Sequence, residues 1–431
     1  MRAGSLQRVE CRMKCGSSLA LLFVCFAVIA LPVSAQQVAP ASHSSNSPGT
    51  VPVNSDEAIA VGPFLFSPAL QLTWESRDNI FFTPDNEVSD QVYLARARFL
   101  FELPIYESYL QFSYTPQYRD YKDYELEDKW GHFVHFGGGF EFAGGVSLDL
   151  TYNYIVGNLE TREVDPGGEL VFGGRNFTKN FAGAAVDYWF APRDGLTAGV
   201  SWTDVEYDDP RQFYPYTRLA GMIGWLHQLS PILGMNVKYG HSDFDAKDNS
   251  FYDNSFRDSS SDQVTFGLNG QLSPVVATEL VVGYRQTKYD VLPGEPPIED
   301  YKGPIVNGFI SWDMAHGSLL RLDVLRSDYP SNFNINAYYV ATGGSLLYNL
   351  DRGRFFGQLR GRYQVNDYDL PDLATGIVRS DDIMSAGVGV GYRVTKIFSL
   401  QGAYLYEDRD SNIYRESYTT NVFTLGLVIG Y

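Results

Sequence analysis

Cysteine is nearly missing from this chain. The three cysteines, Cys11, Cys15 and Cys25, all fall within the first 35 of 431 positions. Beyond that point no disulfide framework, thiol nucleophile or cysteine-based metal site is possible. Long apolar runs are equally scarce. After Leu19–Leu31 no apolar segment approaches the ~18 residues that a transmembrane helix requires. That excludes a helical membrane protein. Positive charge is short too, with 33 Lys and Arg against 51 Asp and Glu and a formal charge of −18. A chain this acidic is a poor partner for nucleic acid.

Catalytic signals are also absent. No G-x-S-x-G, H-E-x-x-H or phosphate-binding glycine loop occurs. Six histidines are present, at 43, 132, 135, 227, 241 and 316, and no two are spaced to share a metal. His132 and His135 are an odd number apart, so one strand points them to opposite faces. No cofactor, metal or enzymatic activity is expected, and an outer-membrane enzyme is the least favoured reading.

What is present begins with Arg2, Arg8, Arg12 and Lys14, the apolar run to Leu31, and Pro32-Val33-Ser34-Ala35. This reads as a secretory signal peptide over residues 1–35. Residues 36–60, rich in Ala, Ser, Pro, Asn and Gly, read as a flexible periplasmic leader. The remainder, 61–431, holds most of the 30 Tyr, 28 Phe and 41 Gly. It shows the period-two alternation of half-buried strands. In the last stretch Phe423, Leu425, Leu427, Ile429 and Tyr431 alternate with Val422, Thr424, Gly426, Val428 and Gly430. One face is greasy and the other mostly small. Similar segments recur at Val146–Tyr154, Val264–Leu268, Phe355–Tyr363, Met384–Tyr392 and Phe398–Tyr406. Residues 91–101 and 218–228 give mixed phases.

The connections alternate between short turns, such as Gly144-Gly145 and Asp351-Arg352-Gly353, and long polar stretches, such as 158–176 and 243–260. Eight short and nine long connections imply about eighteen strands. The expected fold is all-β, a transmembrane antiparallel up-and-down β-barrel seated in the bacterial outer membrane. The strand at 64–74 must then pair with the strand at 421–431, because hydrocarbon leaves no partner for an open sheet edge. Trp74, Tyr152, Tyr154, Trp202, Tyr284, Tyr404, Tyr406 and Tyr431 read as aromatic girdles at the membrane interfaces.

Parity also assigns an inner wall. Arg96, Arg98, Glu141, Asp149, Lys238, Arg285, Arg321, Asp323, Arg360, Arg362 and Arg393 fall on the non-lipid face. They suit either ion pairs within a wet lumen or basic rungs that attract an anionic or hydroxyl-rich solute. The long connections are acidic. Asp120, Asp123 and Glu125 crowd one, Asp204 and Glu206 another, and Asp367, Asp369, Asp372, Asp381 and Asp382 a third. They read as a solvated anionic outer surface. Asp243-x-Asp245-x-x-Asp248 lacks the Gly and closing Glu of a calcium loop.

The first hairpin carries a resemblance. Leu72-Thr73-Trp74-Glu75-Ser76-Arg77-Asp78-Asn79-Ile80-Phe81, then Ser89-Asp90 and the run Tyr118-Arg119-Asp120-Tyr121, resemble a family of outer-membrane β-barrel porins associated with exopolysaccharide biosynthesis and export, the beta-barrel porin 2 type. The remaining similarity is architectural, over about 64–431. The resemblance implies a passive barrel through which, or beside which, a surface polysaccharide leaves the cell, and it carries no catalytic residues. Expected partners are outer-membrane lipid and lipopolysaccharide, with polysaccharide and periplasmic export components as further candidates. An alternative is a surface binding or structural barrel with a plugged lumen. The sequence leaves the cargo and the oligomeric state open.

Overall fold

A computed structural model describes residues 58–125, 129–158, 167–169, 176–208, 213–248, 254–290, 298–314, 317–332, 336–372 and 374–430. The expected signal peptide, almost all of the expected leader and Tyr431 lie outside the described residues. The strands in chain order are β1 Ile59–Val61, β2 Phe64–Arg77, β3 Asp90–Ile105, β4 Ser108–Tyr121, β5 Trp130–Phe142, β6 Val146–Asn158, β7 Asn176–Trp189, β8 Asp194–Tyr207, β9 Tyr216–Ser230, β10 Leu233–Ala246, β11 Ser259–Ser273, β12 Val276–Tyr289, β13 Tyr301–Met314, β14 Ser318–Pro330, β15 Tyr338–Arg352, β16 Phe355–Pro371, β17 Val378–Arg393, β18 Phe398–Ser411 and β19 Tyr418–Gly430. The short β1 only flanks β2. The others, β2 to β19, form an eighteen-strand closed antiparallel barrel in which each strand pairs with its chain neighbours.

Closure comes from β19 on β2, in register from Gly430 opposite Ala69 to Val422 opposite Arg77. Without that ladder both edges would carry unpaired amides and carbonyls in hydrocarbon, at several kcal/mol each. The alternation sets the two faces. On β19 Leu425 is 49% exposed while its neighbour Thr424 is 1% exposed. The exposed apolar residues look outward to lipid, and the small or polar ones look inward. The mixed segments resolve the same way. On β3 Tyr93, Phe99 and Phe101 face out while Leu94 and Arg96 are buried inside. On β9 Leu219, Ile223 and Trp225 face out and Leu226 is inside.

Turns at one end are tight. Gly144 and Gly145 sit at φ +89° and +76°, a conformation that side chains with a Cβ avoid. The long connections leave from the opposite end, which makes that end extracellular. Outward tyrosines at mid-strand donate to polar side chains on adjacent strands: Tyr152 to Asn180 at 3.1 Å and Tyr404 to Asn421 at 2.5 Å. Their rings face outward and their hydroxyls stay satisfied, as phenols on an apolar surface require.

The acidic stretches need a correction. Asp120, Asp204, Glu206, Asp367, Asp369, Asp381 and Asp382 lie on strands, not in loops. Strands here run to 17 residues, more than the ~9–11 needed to cross the bilayer. The sheet therefore continues into the extracellular space and carries these acids with it. Asp381 points inward and is fully buried.

Two expectations follow. Leu425→Arg, on the lipid face, should cost ~2–4 kcal/mol in urea unfolding from lipid vesicles, whereas Ser201→Arg, on the inner face, should cost far less. In the β10–β11 connection, burial with nearby Asp245, Asp290 and Asp248 pushes the Asp258 carboxyl up to about 6. The folded connection thus favours the neutral acid. Its contribution is full below the ordinary aspartate range and is lost as pH rises toward 6. Hydrogen exchange at residues 254–258, corrected for intrinsic chemistry, should be slower at pH 5 than at pH 7.5, and Asp258→Asn should abolish that difference.

Candidate functional site: an inner wall with an internal tripeptide

The cross-strand register places all eleven inner-wall candidates on the inward face, spread around the barrel. Arg96 on β3 reaches Gln117 on β4, with Nε 3.1 Å from its Oε1, and Arg98 is two residues along the same strand. Glu141 on β5 and Asp187 on β7 flank Ser147. Asp149 on β6 sits two residues further along that face. Lys238 stands on β10 between Gly224 and Thr265. Arg285 forms a buried pair with Asp328 at 2.6 Å and also grips Gln263. Arg393, near the periplasmic end, pairs with Asp351 at 2.6 Å. The Arg96 contact ties neighbouring strands, the Arg285–Asp328 and Arg393–Asp351 pairs each reach over an intervening strand, and all keep charge on the polar side of the wall.

Four candidates come together. Arg321 and Asp323 on β14 pair at 2.8 Å. Asp323 also accepts from Ser345 on β15, which is opposite Arg362 on β16. Arg360 is two residues below Arg362, so both guanidinium stems leave the same face of one strand ~6.6 Å apart along it. Arg360 packs over Gly387 of β17. Arg362 donates to Gln364, the next inward residue toward the outside.

Above Arg362 the wall meets a segment that comes from across the barrel. Gly167, Gly168 and Glu169 lie between β6 and β7, half the ring away from β16. All three are buried. The Gly167 carbonyl accepts from the amide of Gln364, and that of Asn366 lies 3.5 Å away. Arg409 on β18 donates to the Gly168 carbonyl at 2.6 Å and to the Glu169 carbonyl at 3.1 Å. The Glu169 carboxylate, 1% exposed, accepts from Ser331 Oγ at 2.5 Å and from the Asn332 amide at 2.7 Å. A Cβ on Gly167 would collide with the Tyr339 hydroxyl, so only glycine fits. A second chord crosses nearby. Tyr214, before β9, donates to the Ser331 carbonyl at 2.8 Å.

The surrounding wall is rigid. Tyr339 stacks on Tyr329 and Tyr368, with ring centroids 5.8 and 5.5 Å away. Arg379 pairs with Asp381 at 2.7 Å and with Glu416 at 3.2 Å, and it lies 4.7 Å over the Tyr368 ring. Arg409 is 5.2 Å over Tyr418. Buried pairs this well bonded hold geometry more than they add net stability.

Sequence reading missed this part of the site. Arg379 and Asp381 are two apart on one strand face, and Arg409 and Glu407 share another, signals that parity exposes. Nothing in the local pattern at Gly167–Glu169 shows where that tripeptide lands. His132 and His135 do face opposite sides, bonded to Tyr114 at 2.9 Å and to Asn153 at 2.7 Å respectively. Asp243 and Asp245 are on β10. Among the described residues no group of three or more His, Cys, Asp or Glu is arranged to hold a metal.

Removing one member of the buried pair should be costly. Asp381→Ala should lower unfolding stability by ~3–5 kcal/mol, because Arg379 then loses its main counter-charge. The double change Arg379→Leu with Asp381→Leu should recover most of it. Urea titration of folded protein in lipid, followed by heat-modifiable gel mobility, reads both.

Residues 227–431 match the sequence profile of the family described as "Putative beta-barrel porin 2". No curated protein matches the chain. Among solved structures the chain is similar to OccAB3 of Acinetobacter baumannii, at 12% identity and TM-score 0.47, covering 86% of this chain and 100% of that one. It is also similar to OpdK of Pseudomonas aeruginosa solved with vanillate, at 13% identity and TM-score 0.45, covering 85% of this chain and 98% of that one. A closed barrel with lipid-facing apolar residues and a charged interior is the fold of an outer-membrane β-barrel protein, and residues 227–431, somewhat less than half of the chain, are similar to the beta-barrel porin 2 family.

Proposed function

We propose that the barrel passes saccharides across the outer membrane and serves exopolysaccharide export. The observation that carries this reading is the ladder of Arg360, Arg362 and Gln364 on one inward strand face, leading to the tripeptide. Guanidinium and amide groups offer several donors each, which suits hydroxyl-rich or anionic sugars. Periplasmic export components and polysaccharide are the partners this role calls for, and lipopolysaccharide surrounds the barrel. No step of the role requires bond-breaking chemistry. Arg360, Arg362 and the other inner-wall residues that are not buried would act as contacts along the path, while the buried Arg96, Arg285 and Asp323 hold the wall.

A second reading has its own support. The buried tripeptide and the Tyr214 chord both occupy the extracellular half of the interior. A barrel filled in this way could serve as a surface binding or structural protein. The two readings separate in planar bilayers and in liposome swelling. The channel reading expects steady ion conductance and swelling with small saccharides. It also expects Arg360→Ala with Arg362→Ala to shift selectivity toward cations, since two inward positive charges are lost. A folded barrel that neither conducts nor swells vesicles would leave the filled reading.

A further inference from the structure

The tripeptide sits in its berth as a ligand would. It offers three carbonyl oxygens and one carboxylate, and no side chain on its first two residues. The wall answers with donors: the Gln364 and Asn366 amides, both Arg409 terminal nitrogens, Ser331 Oγ and the Asn332 amide. Tyr339 and Tyr368 stack on one another beside it, with Tyr329 against Tyr339 and Arg379 over Tyr368. Arg257, 4.4 Å over the Tyr214 ring, is close enough for its charge to act on Glu169. Asp381, Glu416 and Asp369 also border the region. The first two are matched by Arg379, and Asp369 by the Ala337 amide and the charge of Arg257.

We propose that this berth is a binding site for an acidic saccharide, which enters by displacing Gly167–Glu169. The proposal rests on the saccharide-channel reading and names the class of sugar. A uronate carboxylate takes the place of the Glu169 carboxylate on Ser331 and Asn332. Ring and hydroxyl oxygens take the places of the carbonyls on Gln364 and Arg409. Buried donors left without an acceptor are costly, so the berth is filled by one partner or the other. Arg360 and Arg362, directly below, provide the next positions along the same strand face. Saccharide specificity thus reduces to a competition between an internal acidic peptide and an external acidic sugar.

The test is calorimetric titration of the purified full barrel in detergent with a trigalacturonate, and with maltotriose as the neutral control. Native gel mobility confirms that each variant is folded. The native protein should bind the acidic trimer more tightly than the neutral one. Glu169→Ala, which removes the internal competitor's carboxylate, should bind it about tenfold more tightly still, a gain of ~1.4 kcal/mol. Ser331→Ala, which removes a donor from the internal and the external carboxylate alike, should change the affinity for the acidic trimer far less than Glu169→Ala does. Equal binding of both trimers overturns the acidic class. No tightening in Glu169→Ala overturns the competition. Conductance without any trigalacturonate binding sinks this site and leaves the channel reading intact. Trigalacturonate binding in a barrel that never conducts sinks the channel reading instead.

Discussion

A peptide backbone in hydrocarbon has no water to bond with, and that single constraint organises the molecule. Each of the eighteen spanning strands must give every amide and carbonyl a neighbour, and only a ring does this without edges. Closure of β19 on β2 is therefore the condition for all the other ladders. Once the ring closes, the two-residue period divides every strand between lipid and interior. Leu425 and Thr424 are adjacent in sequence yet belong to different solvents.

The interior inherits a problem of its own. Polar and charged side chains collect there and need partners. The wall meets this need between neighbouring strands, as in Arg96 with Gln117, and over one intervening strand, as in Arg285 with Asp328. At the extracellular half it is met from the far side of the ring, by Gly167, Gly168 and Glu169. The same donors that hold the tripeptide are those a hydroxylated or anionic solute would seek. Under the proposed role, structure and passage draw on one set of groups, and the Arg360–Arg362–Gln364 column links them.

Much of this was legible in the sequence because barrels repeat one rule many times. The alternation at 421–430, the short and long connections and the strand count all express local pleat geometry, which neighbouring residues determine. The mixed segments at 91–101 and 218–228 resisted because apolar residues also line the interior there, as Leu94 and Leu226 do. The acidic stretches misled in part. Composition marks Asp367 and Asp381 as polar but cannot tell how far a strand continues past the bilayer. The landing place of Gly167–Glu169 was hidden for a different reason. It depends on strands more than 150 residues away in sequence, with Gln364 separated from Gly167 by 197 positions, and no local periodicity encodes a contact across a lumen.

The seam between first and last spanning strands offers the most direct measurement. Leu72 and Leu427 stand opposite one another in the register of β2 and β19. All native cysteines fall within the first 35 residues, so a pair introduced as Leu72→Cys and Leu427→Cys stands alone in the barrel. In outer-membrane fractions the closed ring predicts an efficient intramolecular disulfide between them, seen as a mobility shift reversed by reductant. Failure to link, with both thiols open to a water-soluble maleimide, would contradict the closed barrel and the wet interior that depends on it.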